Sequence, residues 1–197
     1  SDILSFIDTN VYCNILYSYR IKAIGNEGLK LGSYSDTASL VMNGIALQHK
    51  VPVINATVKD NVSVHVSWAR PSIAPYFVIG YIVYRSESNN NFIPISYVAA
   101  DKFEYEDREA DVKSKKYLYK IEVLNACPAK NELGNQGSSI FLETVQLNEN
   151  SGQLKWNAYE LWDSGVEHYK IQKLNKFNQW KTVKELPSNK RHTIINF

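Results

Sequence analysis

The sequence predicts an all-β protein built from antiparallel β-sandwich units that follow one another along the chain. Val, Ile and Tyr dominate the apolar segments, and the 197 residues include 13 Tyr, 7 Phe and 4 Trp but a single Met. This is the residue usage of pleated, half-buried strands. Two sequence patterns also recur at intervals of about 90 to 100 residues, which is the length of one seven-stranded sandwich.

The first pattern repeats at an offset of 100 residues. Residues 17–23 (YSYRIKA) align with residues 117–123 (YLYKIEV). Each copy follows a short segment that ends in aspartate, at Asp8 and at Asp107, and we expect that segment to be a strand. The two carboxylates are predicted to fix the turn before the next strand through hydrogen bonds to the backbone.

The second pattern repeats at an offset of 88 residues, with a third segment at an offset of 85. The aligned segments are 66–68 with 154–156, 81–85 with 169–173, and 92–98 with 177–183. The last alignment places Trp180 at the position of Ile95, inside a strand, and predicts a packing role for it.

The middle copy contains seven alternating segments. They are 53–58, 62–68, 78–85, 92–99, 102–106, 116–124 and a last strand from Ser139 onward. Val62, Val64, Val66 and Trp68 alternate with polar residues, as expected of a half-buried strand. The sequence therefore predicts four segments: a partial unit at 1–42, a linker at 43–50, a complete unit at 51–142 and a second partial unit at 143–197.

The spacing of the aromatic residues resembles that of fibronectin type III modules. Trp68 in the second strand, Tyr81 in the third and the alternating run 117–123 in the sixth carry the resemblance. It implies immunoglobulin-like sandwiches with a tryptophan in the core, and a tyrosine corner at Tyr117 and Tyr17. The core positions predicted in this way are Trp68, Tyr81, Tyr117, Tyr119, Trp156, Tyr169, Tyr17 and Tyr19.

A second resemblance concerns the last third of the chain. The spacing W-x-x-Y-x-x-W-x-x-G-V-x-x-Y-x-I over residues 156–171 is similar to modules that precede the gliding-motility-associated C-terminal sorting domain. Proteins of that type are large, leave the cell by type IX secretion and stay at the bacterial surface or are released. The resemblance implies secreted or cell-surface, non-catalytic modules that act as structural or adhesive spacers.

The polar residues predict neither an enzyme nor a cofactor or metal site. The four histidines are scattered, and we expect them at the surface. Glu104, Glu106, Asp107 and Glu109 lie along one strand and turn, where they are expected to be solvated and not to face one another across a cleft. The formal charge of +2 is spread over mixed signs, which does not suggest nucleic acid, and no apolar run is long enough to span a bilayer.

Three further residues are candidates for linkage or binding. Cys13 and Cys127 are expected at the facing ends of successive units, and are compatible either with a disulfide between units or with two free thiols. Trp162 lies in a loop, where it would contact either a protein or polysaccharide ligand or a neighbouring unit. The partial units at the two ends would either complete each other between molecules or remain as uncovered stubs.

Overall fold

The computed structural model describes residues 5–8, 10–11, 15–25, 31–41, 50–72, 78–88, 91–125, 133–160, 162 and 164–196, and these residues form sixteen β-strands and no helix. The strands are β1 (Leu16–Tyr19), β2 (Lys22–Ile24), β3 (Gly32–Tyr34), β4 (Ala38–Val41), β5 (Val53–Lys59), β6 (Ser63–Trp68), β7 (Val78–Ser86), β8 (Ile93–Ala99), β9 (Glu104–Asp107), β10 (Leu118–Asn125), β11 (Gly137–Ser138), β12 (Leu142–Asn148), β13 (Ser151–Trp156), β14 (His168–Leu174), β15 (Trp180–Pro187) and β16 (His192–Asn196). The all-β class predicted from the sequence is confirmed.

Strands β5 to β11 form a two-layered unit, the central sandwich. One sheet has the order β5-β6-β9 and the other β11-β10-β7-β8, with every pairing antiparallel. The inward-facing residues of both sheets make one buried cluster. Trp68 packs against Tyr81 at its centre, with ring centroids 5.4 Å apart, so the two layers are held by apolar and aromatic burial.

The turn between β5 and β6 begins one residue later than the alternation suggests. Asp60 and Asn61 both have positive φ, at 51° and 56°, and the amide of Val62 donates to the carbonyl of Lys59. Val62 therefore belongs to the turn and is exposed. Its predicted place in the buried face of the strand is wrong, whereas Val64, Val66 and Trp68 are buried.

The last strand of the central sandwich was predicted to begin at Ser139, and this prediction is wrong. The strand consists of Gly137–Ser138, which pair with β10. The amide of Ser139 still reaches the carbonyl of Tyr117, but the amide of Tyr117 donates to the side-chain Oγ of Ser139 at 2.9 Å. A hydroxyl thus takes the place of a backbone carbonyl, and the ladder ends there.

The first four strands form an N-terminal hairpin in which β1 pairs with β4 and β2 with β3. The segment before it, Phe6-Ile7-Asp8, was predicted to be a strand, and this prediction is wrong because these residues are not in a strand. Its counterpart in the central sandwich, β9, forms by pairing with β6. Among the described residues before β1 no strand offers that partner, so the segment has no ladder to join.

Strands β12 to β16 form a C-terminal unit with two sheets, of order β12-β13-β16 and β14-β15. Its pairing repeats that of the central sandwich at one constant offset of 88. Arg85 faces Ile93 in β7 and β8, and Lys173 faces Lys181 in β14 and β15.

This register corrects the offset of 85 for the fourth strand. Val183, and not Trp180, takes the place of Ile95, while Trp180 takes the place of Phe92. The predicted packing role of Trp180 is wrong, because its side chain is 64% exposed.

Candidate functional site

A buried ion pair lies at one end of the central sandwich core. The Nη1 atom of Arg85 lies 3.0 Å from each carboxylate oxygen of Asp107. The Tyr119 hydroxyl donates to the same carboxylate at 2.8 Å, and the Glu109 amide donates at 3.1 Å. Asp107 is 1% exposed, so its predicted solvation is wrong. Its carboxylate does receive the backbone bond expected of a turn, and it also binds two side chains.

The electrostatics of this cluster keep Arg85 charged and Tyr119 protonated. Burial alone would lower the pKa of Arg85, but the hydrogen bond and the negative charge of Asp107 raise it overall. Burial, followed by the charge of Asp107, raises the pKa of Tyr119 far above its ordinary value. The arrangement fixes one protonation state for each group, as expected of a structural ion pair.

Tyr117 joins the cluster to the preceding loop. Its hydroxyl accepts a hydrogen bond from the amide of Asp111 at 3.0 Å, which is the geometry of a tyrosine corner. The guanidinium carbon of Arg85 lies 5.3 Å from the centre of the Tyr117 ring. Both tyrosines of the run, Tyr117 and Tyr119, are buried.

The N-terminal hairpin contains part of the same arrangement. The Tyr19 hydroxyl donates to Asp8 at 2.9 Å, and the amide of Asn10 donates to the same carboxylate at 2.9 Å. The hydrogen bond to Asp8 is the main cause of a raised pKa for Tyr19. Tyr17 and Tyr19 are half-buried, which differs from the core position predicted for them, because the described residues place no second sheet against this hairpin.

The C-terminal unit keeps the aromatic pair of the core. Trp156 and Tyr169 are both buried, and their ring centroids are 5.6 Å apart. They take the positions of Trp68 and Tyr81 in the central sandwich. The hydroxyl of Tyr169 accepts a hydrogen bond from the amide of Tyr159 at 3.2 Å, which connects this core to the loop that follows β13.

That loop forms the junction between the central sandwich and the C-terminal unit. The Tyr159 hydroxyl donates to Asn55 Oδ1 at 3.1 Å and accepts from the amide of Ala56 at 3.3 Å. Trp162 Nε1 donates to the carbonyl of Ile54 at 3.3 Å. The rings of Tyr159 and Trp162 lie 4.8 Å apart, so two aromatic residues of one unit hold the edge strand β5 of the other.

The chain connection at this junction is also held by side chains. Asn157 Nδ2 donates to the carbonyl of Ser139 at 3.0 Å, and its Oδ1 accepts from the amide of Phe141 at 2.7 Å. The amide of Glu160 donates to Ser138 Oγ at 3.0 Å. Sequence reasoning missed these contacts because Asn157 and Ser138 carry short polar side chains in a loop and at a strand end, where strand alternation gives no signal.

A cleft of about 410 Å³ opens beside the junction. Its volume is within the range of small-molecule sites, about 300–1,000 Å³. Trp162, which the sequence marked as a ligand candidate, is 51% exposed and lines this cleft. The other lining residues are Asn55, Ala56, Thr57, Val58, Ile140, Tyr159, Val166, His168, Tyr169 and Lys170.

The remaining candidates are placed as follows. Cys13 and Cys127 lie outside the described residues, as does all of the predicted linker except Lys50. His65 and His168 are half-buried beside Glu104 and Glu167, each at 3.5 Å. In the described part of the chain no group of three or more His, Cys, Asp or Glu side chains is placed to hold a metal ion. No helix among those residues is long and apolar enough to cross a membrane.

Comparison with known proteins gives resemblances of fold. No family model matches the chain, and no curated protein matches it. A solved Fn3-like protein from Clostridium thermocellum is 14% identical, with a TM-score of 0.40, over 47% of this chain and 92% of its own length. The FN1–FN3 domains of chicken CNTN1 are 14% identical, with a TM-score of 0.37, over 91% of this chain and 66% of that chain.

A third solved structure is a beta-1,2-glucanase from Parabacteroides distasonis. It is 14% identical, with a TM-score of 0.39, over 53% of this chain and 14% of the glucanase. The chain spans about two thirds of the chicken structure and a small part of the glucanase. The β-sandwich architecture itself is shown by the strand pairing of this chain.

Proposed function

We propose that the chain is a non-catalytic spacer in a large secreted or cell-surface bacterial protein. The observation that supports this is that the two aromatic residues at the junction, Tyr159 and Trp162, bind the neighbouring unit. Tyr159 and Trp162 donate to the backbone or side chains of β5 in the neighbouring unit. Such contacts limit the rotation of one unit against the next, and a row of units coupled in this way can project a distant domain from a surface.

Among the described residues, the one deeply buried carboxylate, that of Asp107, supports a structural role. Asp107 is already bound by Arg85, Tyr119 and a backbone amide, so its lone pairs are occupied and its charge is balanced. An acid or base in catalysis needs a proton-exchanging group at a pocket. Asp107 instead stabilises the sandwich core.

NMR relaxation tests the coupling of the units. In the unaltered protein, the amides of the central sandwich and of the C-terminal unit should tumble with one correlation time. The double variant Tyr159→Ala, Trp162→Ala removes the three hydrogen bonds to β5 and should give two shorter correlation times. Trp180→Ala, which removes an exposed tryptophan elsewhere in the same unit, serves as the control. Separate tumbling already present in the unaltered protein would contradict the proposal.

The surface location rests on the resemblance of residues 156–171 to modules that precede a type IX sorting domain. It is tested in the source bacterium with an antibody raised against this chain. The epitope should be found at the surface of intact cells or in the medium, and should remain inside the cell when type IX secretion is disabled. Surface exposure that is unaffected by that defect would point to another export route.

A second candidate function is the binding of a polysaccharide or protein at the junction cleft. The half-exposed indole of Trp162 favours it, because an aromatic ring at the mouth of a cleft offers a flat apolar contact. Oligosaccharide titrations monitored by tryptophan fluorescence would test it. A saturable change that is lost in Trp162→Ala and kept in Trp180→Ala would support binding at the cleft. No saturable change would leave Trp162 as a junction residue.

A further inference from the structure

The edge of β14 lacks the neighbour that its counterpart has. In the central sandwich, β7 lies between β8 and β10, whereas β14 pairs with β15 and, among the described residues, with no strand on its other side. The apolar face of this sheet is covered only in part, because Tyr169 is buried while Val183, at the position of the half-buried Ile95, is 55% exposed. An open edge beside a partly uncovered apolar face favours pairing with another strand.

The N-terminal hairpin contains the strands that would fill that place. Tyr19 faces Ala38 in the hairpin, as Tyr119 faces Gly137 between β10 and β11. The hairpin is therefore the counterpart of β10 and β11. These are the strands for which the described part of the C-terminal unit has no equivalent.

We propose that the N-terminal hairpin of one copy of this chain pairs with β14 of a second copy and completes its sandwich. The central sandwich gives the register. Tyr119 faces Arg85 across β10 and β7, so the repeat offsets of 100 and 88 place Tyr19 opposite Lys173. The apolar pair Ile121 and Val83 of the same ladder becomes Ile21 opposite Ile171, which continues the core.

The charges of the two segments are complementary at the position of the buried ion pair. Asp8 accepts the Tyr19 hydroxyl in the hairpin, as Asp107 accepts the Tyr119 hydroxyl. Lys173 takes the place of Arg85 in an exposed position, and the described residues form no ion pair with it. The hairpin thus carries the acid of the pair, and the C-terminal unit carries the cation.

The C-terminal unit has no acid of its own at this position. Asp107 faces Val64 in the central sandwich, and the equivalent residue, which faces Gly152 in β16, is Ile195. Among the described residues of this unit, the position of Asp107 therefore offers no carboxylate to Lys173. In the proposed register, Asp8 of the hairpin takes that place.

A second pair of positions also matches. In the central sandwich the Lys120 ammonium lies 4.5 Å from the centre of the Phe92 ring. The equivalent residues are Arg20 in the hairpin and Trp180 in β15, and tryptophan is the aromatic residue that attracts cations most strongly. Within the hairpin the Arg20 guanidinium carbon lies 4.3 Å from the centre of the Tyr34 ring, and in the proposed pairing it would contact the exposed indole of Trp180 as Lys120 contacts Phe92.

In this register one pair of facing residues carries like charges. Glu122 faces Ile82 in the central sandwich, and the equivalent residues are Lys22 and Lys170. Lys170 already lies 3.5 Å from Glu185 on the neighbouring strand β15. That carboxylate lies beside both ammonium groups in the proposed pairing and offsets their repulsion.

Each copy carries one donor hairpin and one acceptor edge. The contact is therefore heterologous, so it joins copies head to tail into chains or rings. The mass should rise with protein concentration from that of one 22.5 kDa chain without a fixed upper limit, unless a ring closes.

Charge reversal tests this pairing by light scattering. Lys173→Glu places two acids together, and Asp8→Lys places two cations together, so each variant alone should associate at least about tenfold more weakly than the unaltered chain. An equal mixture of the two variants restores an opposite pair at every contact between unlike copies. The mixture should regain association. Lys190→Glu, an exposed loop position, is the matched control and should associate like the unaltered chain.

Three results would overturn the proposal. An unaltered chain that stays monomeric at all concentrations would show that a second copy does not occupy β14. Association that survives both charge reversals would show that another surface carries it. Association lost in both variants and not regained in the mixture would show that the substitutions act through folding and not through the paired charges.

Discussion

At the scale of single residues, Asp107 is the most deeply buried charged side chain in the described part of the chain. It is bound by a cation, a phenol and an amide in the core. The sequence held a signal for this burial, because Asp107 shares its strand phase with Phe103 and Tyr105. Its partner Arg85 could not be predicted in the same way, since their contact depends on how the two sheets pack against each other.

Asp107→Asn should lower the free energy of unfolding of the central sandwich by roughly 3–5 kcal/mol, because it leaves the Arg85 charge without its counter-ion in the core. Chemical denaturation measures the change. The double variant Arg85→Met, Asp107→Leu should cost less than the single one, since neither charge is then left unpaired. Glu104→Gln, at an exposed carboxylate 3.5 Å from His65, should change stability by less than about 0.5 kcal/mol.

The raised pKa of the Tyr84 hydroxyl predicts that the protein loses stability at alkaline pH. This hydroxyl donates to Glu122 at 2.6 Å, and this bond, followed by burial, raises the pKa of Tyr84 to about 12 from 10.0. A phenol whose pKa is higher in the folded state stabilises fully below pH 10, and that contribution is lost between pH 10 and 12. Tyr84→Phe should therefore flatten the decline of unfolding free energy over this interval. An equally steep decline in the variant would contradict the assignment.

At the scale of strands and turns, alternation predicted the strands whose two faces differ. β6, β7 and β10 agree with their expected positions within two residues. Alternation failed where side chains replace the ladder, as Ser139 does at the end of β11. It also failed for Trp180, because the sequence alignment at an offset of 85 misplaced β15 by three residues, and only the strand pairing at a constant offset of 88 gives the correct positions.

The turn between β5 and β6 is a suitable place to test strand connection. Asp60 and Asn61 both adopt positive φ, as in the type I′ turns that favour glycine at the second position. Asn61→Gly should raise the free energy of unfolding by about 0.5 kcal/mol, and Asn61→Val should lower it by about 1–2 kcal/mol. Thermal or urea unfolding would show both changes. Equal stability of the two variants would mean that the turn is not strained by a side chain.

At the scale of the whole molecule, burial is concentrated in the central sandwich. Its core residues are almost fully buried, whereas the hairpin and β15 expose large apolar side chains. The fold class and the aromatic core positions of the central sandwich could be predicted, because they depend on local alternation. The junction with the C-terminal unit could not, since it depends on how two units meet in space.

Hydrogen exchange should follow this division. Amides of β6, β7 and β10 should be the most protected, and those of β1 to β4 should exchange fastest, because their bonds lie at exposed sheets. Mass spectrometry of peptides after timed exchange measures both sets in one experiment. Uniform protection along the chain in dilute protein would contradict the prediction.

The connection between β11 and β12 is three residues long, 139–141, and Asn157 binds both of its ends. A connection of three residues spans at most about 10 Å, so it cannot lengthen to let the two units move apart. One inserted residue would add about 3.3 Å and reverse the side-chain alternation of β12. The length of this connection would therefore set the rotation angle between successive units in any tandem array. That angle, repeated from unit to unit, would determine the helical pitch and the total length of the array.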